Sequence, residues 1–258
     1  MTASLSDLLR APGPSDHIVQ TYQDPAVLAQ SVAEYLAAGL RAGEGAIVIA
    51  RPQHRRKFMR ALAQHGVEAQ VCLDRGQLRL LDAEETLARF MADGMPQWKR
   101  FHPTVGGLIA EVRLQHQTVR AYGEMVDILW QQGSREAAIR LEEYWNDLGK
   151  LQTFALFCAY FMDPLDHKAY DGPLQCVCKL HSHLIPTRDF ERLDNAVGEA
   201  AAKVLDEPFA KLLLSLAASH RTSTHMPPGQ AALLWLSRNM PRTAEKVLEE
   251  VRASSAAS

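Results

Sequence analysis

The chain has 258 residues, with 28 Lys and Arg against 30 Asp and Glu for a formal charge of −2, and 47% of it is hydrophobic. That length and composition suit one large domain or a domain with a smaller appendage, and they exclude disorder as the main state. The near-neutral balance lacks the basic excess of a phosphate-driven nucleic-acid binder, and no apolar run reaches the roughly eighteen residues of a bilayer span.

Residues 1–14, rich in Ser, Ala, Pro and Gly, read as a flexible leader without the positive start and apolar stretch of a secretory signal. The expectation is therefore a cytoplasmic chain in which Cys72, Cys158, Cys176 and Cys178 are reduced thiols. His17-Ile-Val-Gln-Thr-Tyr22 predicts a strand, and Asp24-Pro25 predicts the cap and first turn of a helix carrying Leu28, Val32, Tyr35, Leu36 and Leu40. Ala46-Ile-Val-Ile-Ala50 is short, β-branched and apolar throughout, the pattern of a strand buried on both faces. A helix from Pro52 to about His65 follows, then a β-prone run at Val67 to Leu73.

The alternation continues with a strand at Leu78 to Leu81, a helix at Ala83 to Met91, and a helix over Thr104 to His116 in which Gly106 and Gly107 predict close packing. Val119 to Tyr122 predicts a strand, Met125 to Gln132 a helix, and Ser134 caps another helix striped by Ala137, Leu141, Trp145 and Leu148. Thr153 to Tyr160 is the most strand-like segment. Strands alternating with helices in this way specify an α/β domain of three layers around a mostly parallel sheet. From about residue 188 only helical stripes remain, broken by Pro208, Pro227, Pro228 and Pro241, which gives a small helical appendage at 188–258 after an α/β domain at 15–187.

The segment after the second strand, Arg51-Pro-Gln-His-Arg-Arg-Lys-Phe58, stands where a phosphate-binding loop would stand, yet it has no glycine to let backbone N–H groups wrap a phosphate. Arg51, His54 and Arg55 still place positive charge at a helix start, where an anion is favoured, unless they are a plain solvated turn. Arg120, Tyr122 and Glu124 form a second candidate, a charged and aromatic set expected near a strand's carboxyl end, against the plainer reading of a salt bridge with a core tyrosine. Glu142 and Glu143 read as a solvated helix face, and Cys158 as a thiol in an apolar strand without a local base. Cys176-Val-Cys178-Lys-Leu-His181-Ser-His183 has donors for a soft metal, but one residue between the cysteines is too few for structural zinc. The preferred reading is buried cysteines in a strand, with His181 and His183 at its end, available to a ligand and not to a metal. No nucleophile elbow or dinucleotide fingerprint occurs, so no catalytic residue and no cofactor is assigned.

Taken together, His17-Ile-Val-Gln-Thr-Tyr22, Gly45-Ala-Ile-Val-Ile-Ala50, Arg120-Ala-Tyr-Gly-Glu-Met-Val-Asp-Ile-Leu-Trp130, Leu141-Glu-Glu-Tyr-Trp-Asn146 and Phe157-Cys-Ala-Tyr160 resemble the MEDS family, the methanogen/methylotroph DcmR-type sensory domain. The resemblance implies a RecA/KaiC-like α/β fold with a degenerate P-loop, and a role in sensing small organic compounds. The expectation is a sensory or regulatory protein that binds a small ligand at the carboxyl edge of the sheet through Arg51, His54, Arg55, Arg120, Tyr122, Glu124, His181 and His183. It would signal to a partner such as a histidine kinase or transcription regulator, without direct nucleic-acid or membrane contact, and could form a homodimer. Two alternatives stand beside it: an ATP-binding or slowly hydrolysing enzyme with a non-standard phosphate loop, and a non-catalytic scaffold acting through Leu233, Leu234 and Trp235 in the helical tail.

Overall fold

The computed structural model describes residues 5–163, 173–185, 190–219 and 226–256, which divide into two compact units at Phe161/Met162. In the first unit the strands β1 (His17–Tyr22), β2 (Gly45–Ala50), β3 (Leu78–Asp82), β6 (Val119–Gly123) and β7 (Ala155–Phe161) lie in the order β3-β2-β6-β7-β1, and every pairing among them is parallel. β4 (Met91–Ala92) and β5 (Met95–Pro96) form a separate small hairpin. β1, β2 and β6 are buried along their whole length, as strands between two helical layers are; β2 is apolar throughout, whereas β1 buries His17, Gln20 and Thr21 and β6 buries Arg120.

One face is covered by α2 (Pro25–Arg41) and α3 (Pro52–Gln64). Asp24 caps α2, its carboxylate accepting the Ala26 N–H at 2.7 Å, and Leu28, Val32 and Leu36 are fully buried along one stripe. Each such side chain stabilises the fold by about 1.5–3 kcal/mol relative to exposure. Between these helices and the sheet runs an aromatic chain, with ring centroids 5.1 Å apart for Phe58 and Tyr122, 5.7 Å for Tyr122 and Phe157, and 5.4 Å for Phe157 and Tyr35. The opposite face is covered by α8 (Met125–Gln131), which buries Val126 and Leu129, and by α9 (Arg135–Leu151), which sends Leu141, Trp145 and Leu148 into the core.

Four local expectations are corrected. The leader contains the helix α1 (Leu5–Arg10), whose Leu8 and Leu9 are buried and whose Arg10 Nε donates to Glu34 at 2.8 Å. The β-prone run at Val67 to Leu73 is the helix α4 (Ala69–Asp74), closed by a Gln70 to Asp74 hydrogen bond of 2.8 Å one turn apart. The helix expected over Thr104 to His116 divides: α6 (Trp98–Phe101) passes through a π-helical turn at His102–Gly106 into α7 (Gly107–Arg113). Pro103 has no N–H to give an α-helical ladder there, and Gly106 admits Leu148 so closely that a Cβ would lie 2.9 Å from its Cδ1. α5 (Ala83–Ala88) takes its predicted acidic first turn, with Asp82 as cap.

The second unit contains the fourth correction. Cys176 and Cys178, expected in a strand with His181 and His183 at its end, lie in the helix Pro173–Leu180, which is entered through a proline at its first position, and only His183–Ile185 is extended. Helices follow at Phe190–Leu205, Glu207–Ser219, Pro228–Asn239 and Pro241–Ala256, with no further strand among the described residues. Val197, Leu213, Leu233, Leu236, Val247 and Val251 are buried in it. Leu233 is thus a core residue, Leu234 and Trp235 are half-buried, and the exposed apolar stripe lies elsewhere, at Phe209, Leu212 and Leu216. The expected domain boundary at Thr187, together with Pro186 and residues 1–4, 257 and 258, lies outside the described residues.

Candidate functional site

The chain leaves β2 through α3 towards β3 on one face, and leaves its neighbour β6 through α8 and α9 towards β7 on the other. Adjacent parallel strands whose connections diverge in this way open a crevice at their carboxyl ends, the usual binding position of such sheets. Arg51 and His54 follow β2, and Glu124 and Asp127 follow β6, so four charged or polar groups meet there.

Arg51 alone separates the end of β2 from the start of α3. No loop exists to wrap a phosphate. The Glu124 carboxylate lies at this junction instead: Oε1 accepts the Arg51 backbone N–H in a short hydrogen bond, and Oε2 accepts from His54 Nδ1 at 2.6 Å and from the Tyr122 hydroxyl at 3.3 Å. Asp127 forms the second half of the cluster. Its Oδ2 accepts from Arg51 Nη1 at 3.2 Å, Tyr22 at 3.3 Å and Gln131 at 2.8 Å, while Oδ1 accepts the Phe161 N–H at 2.8 Å. Glu124 and Asp127 are both essentially buried, a placement that carboxylates tolerate only when hydrogen-bonded on both oxygens. Burial raises the Asp127 carboxyl above its ordinary value, with the bonds from Phe161 and Gln131 and the charge of Arg51 pulling the other way. Burial and the two carboxylates likewise push the Tyr22 and Tyr122 hydroxyls upward, so both remain donors.

The structure brings Arg51, His54, Tyr122 and Glu124 together. Arg55 lies one turn along α3, its guanidinium 3.1 Å from Asp82. Beside it, Pro52, Arg55, Arg56, Met59, Arg60 and Leu80 line a shallow depression of about 390 Å³. Arg120 is at the other end of the sheet, opposite Ala46 and Ala155 in register. There it is buried, donating to the carbonyls of Leu9, Arg10 and Tyr35 at 2.9–3.0 Å, pairing with Glu44 and lying over the Tyr35 ring. His181 and His183 belong to the second unit. His181 Nδ1 contacts the Val177 carbonyl oxygen at 2.6 Å at the end of its helix, and His183 begins the three-residue strand.

Tyr22, Asp127 and Gln131 were not anticipated from the sequence. Asp127 had a signal: it is the acidic residue inside Met-Val-Asp-Ile-Leu-Trp, three positions after Glu124, where a solvated helix face would not put an acid between Val126 and Ile128. A second polar cluster was also missed. Glu142, read as solvated, is buried, and Cys158, read as lacking a base nearby, has His17 Nε2 at 3.3 Å and Glu142 Oε2 at 3.8 Å. Glu143 does face solvent, paired with Arg140.

The first unit is an α/β domain: an open parallel sheet with helices on both faces, a one-residue junction after β2 and a polar cluster at the point where its connections diverge. The family model of the MEthanogen/methylotroph, DcmR Sensory domain (MEDS) matches residues 16–181, and the chain belongs to that family. No curated protein matches the chain. No helix among the described residues is long and apolar enough to cross a membrane.

Proposed function

We propose that this MEDS protein is a cytoplasmic sensory protein that binds a small organic anion beside α3, at the carboxyl edge of the sheet, and signals through a regulatory protein partner such as a histidine kinase or transcription regulator. The observation that carries the reading is the depression lined by Arg55, Arg56 and Arg60 over an apolar floor of Pro52, Met59 and Leu80. Guanidinium forks suit carboxylate or phosphate oxygens, and the floor suits a short carbon body. The same helix begins with Arg51 and His54, which are held by the buried carboxylates, so a ligand that shifts α3 must also act on that cluster. A switch needs such a differential contact. The exposed stripe of Phe209, Leu212 and Leu216 supports an output through protein contact. Nucleotide hydrolysis draws no support from a one-residue junction whose N–H is already taken by Glu124.

The test is calorimetric titration of the full chain with short-chain organic carboxylates and phosphate monoesters. Arg56→Gln with Arg60→Gln should weaken any hit by about tenfold or more while leaving the ligand-free melting temperature in place. Equal affinity for the double variant, or a response to neutral compounds alone, overturns the reading.

A further inference from the structure

We propose that His17, Glu142 and Cys158 form a zinc-ion site inside the first unit, on the sheet face covered by α9. The three donors come from the start of β1, the middle of α9 and the middle of β7, and His17 and Cys158 are 141 positions apart. His17 Nε2 lies 3.3 Å from Cys158 Sγ and 3.3 Å from Glu142 Oε2, and Sγ lies 3.8 Å from the same oxygen. Zinc bonds of about 2.0–2.1 Å to nitrogen, 2.0–2.2 Å to oxygen and 2.3 Å to sulfur, set at tetrahedral angles, separate such ligand atoms by roughly 3.4–3.6 Å. The triangle therefore has the size of one face of a zinc tetrahedron, within a few tenths of an ångström on each edge.

The surrounding groups orient these donors as zinc requires. The Asn146 side-chain oxygen lies 2.9 Å from His17 Nδ1, so it accepts the Nδ1–H and leaves the Nε2 lone pair directed at the centre. Asn146 follows Glu142 by one helical turn on α9, which fixes both side chains from one rigid element. The Tyr160 hydroxyl donates to Glu142 Oε1 at 2.6 Å, so the carboxylate offers Oε2 inward. All three donor residues are buried, Glu142 to 1% exposure. One nitrogen, one oxygen and one sulfur donor suit zinc better than magnesium or calcium, which take oxygen alone, or copper(I), which favours several sulfurs. The site is separate from the Glu124 cluster and stands whether or not an anion binds beside α3.

The experiment uses tag-free, chelator-treated full chain. Cobalt(II) should bind with one ion per chain and give a thiolate-to-cobalt charge-transfer band together with the strong visible bands of tetrahedral cobalt, and zinc should displace it. Cys158→Ser should abolish the charge-transfer band, His17→Gln should weaken binding at least about tenfold, and Cys72→Ser should change neither. A wild-type chain without the thiolate band, or a band that survives Cys158→Ser, overturns the proposal. X-ray absorption of the zinc-loaded wild type decides it without any variant: a single sulfur ligand is expected, and none or several would overturn it.

Discussion

Arg120→Met removes a buried cation and keeps most of its carbon volume, so it isolates what the guanidinium does. In the folded chain Nη1 donates to Leu9 O at 3.0 Å and Tyr35 O at 2.9 Å, Nη2 donates to Arg10 O at 3.0 Å, and Nε pairs with Glu44. Methionine leaves those carbonyls without their donor at about 1–3 kcal/mol for each buried one, and it leaves Glu44 without its partner. These groups share one donor and their costs do not add, since relaxation and entering water satisfy part of what is left; taken as a unit, breaking a buried pair from one side costs about 3–5 kcal/mol, and the solvent that Glu44 keeps puts the total near 3–4 kcal/mol. At roughly 2–4 °C per kcal/mol for a unit of this size, the melting temperature should fall by about 6–16 °C. Urea unfolding followed by tryptophan fluorescence gives the free energy. Amide exchange at residues 5–10 should accelerate beyond that of the sheet, because Leu9 and Arg10 are the carbonyls that tie α1 down. A loss below about 1 kcal/mol, or weakened anion binding at unchanged stability, would refute this account and return Arg120 to the ligand site.

Two further outcomes follow from the same geometry. Gly39→Ala would normally strengthen a helix by about 1 kcal/mol, but a Cβ there lies 2.5 Å from Arg120 Nε and 2.7 Å from its Cδ. The pinned guanidinium has no room to retreat, so chemical denaturation should show a loss of about 1–3 kcal/mol that shrinks in the Arg120→Met background; stabilisation in the wild type sinks the idea. Asp127 gives a pH effect. Its folded carboxyl binds the proton more tightly than the unfolded one, whose ordinary value is 3.8. Its contribution to stability is therefore full below that value and is lost as pH rises through the raised folded value. Melting curves from about pH 3.5 to 7 should show wild type losing ground to Asp127→Asn as pH increases, and a change in the opposite direction contradicts the assignment.

Much of the sheet could be read from local pattern. β2 is a short apolar run between Glu44 and Arg51, and Asp24-Pro25 marks the start of α2 on capping chemistry alone. The π-helical turn depended on Pro103 and on Leu148, a neighbour in space that local pattern does not reveal. In the candidate site, Arg120, Tyr122 and Glu124 are expected together at the strand's carboxyl end; residues two apart on a strand share a face, but that periodicity carries no information on which end each approaches. Two residues of strand amount to about 6.6 Å, enough to move Arg120 from the carboxyl edge to a clamp at the amino end. Glu142 misled for a related reason: between Leu141 and Glu143 on a helix of mixed polarity, only the arrival of β1 and β7 beneath it decides that it is buried.

The one-residue passage from β2 to α3 has a consequence for how any anion would be read at the sheet edge. Glu124 is a competitor carried on the same chain, present at the high effective concentration of a tethered group. An incoming anion aimed at the Arg51 N–H must displace it, and trace amounts would not. Competition of that kind sets a threshold: the domain would ignore the background of cellular phosphate and answer only to a compound that gains enough elsewhere, from arginine forks or carbon contacts, to outbid its own carboxylate.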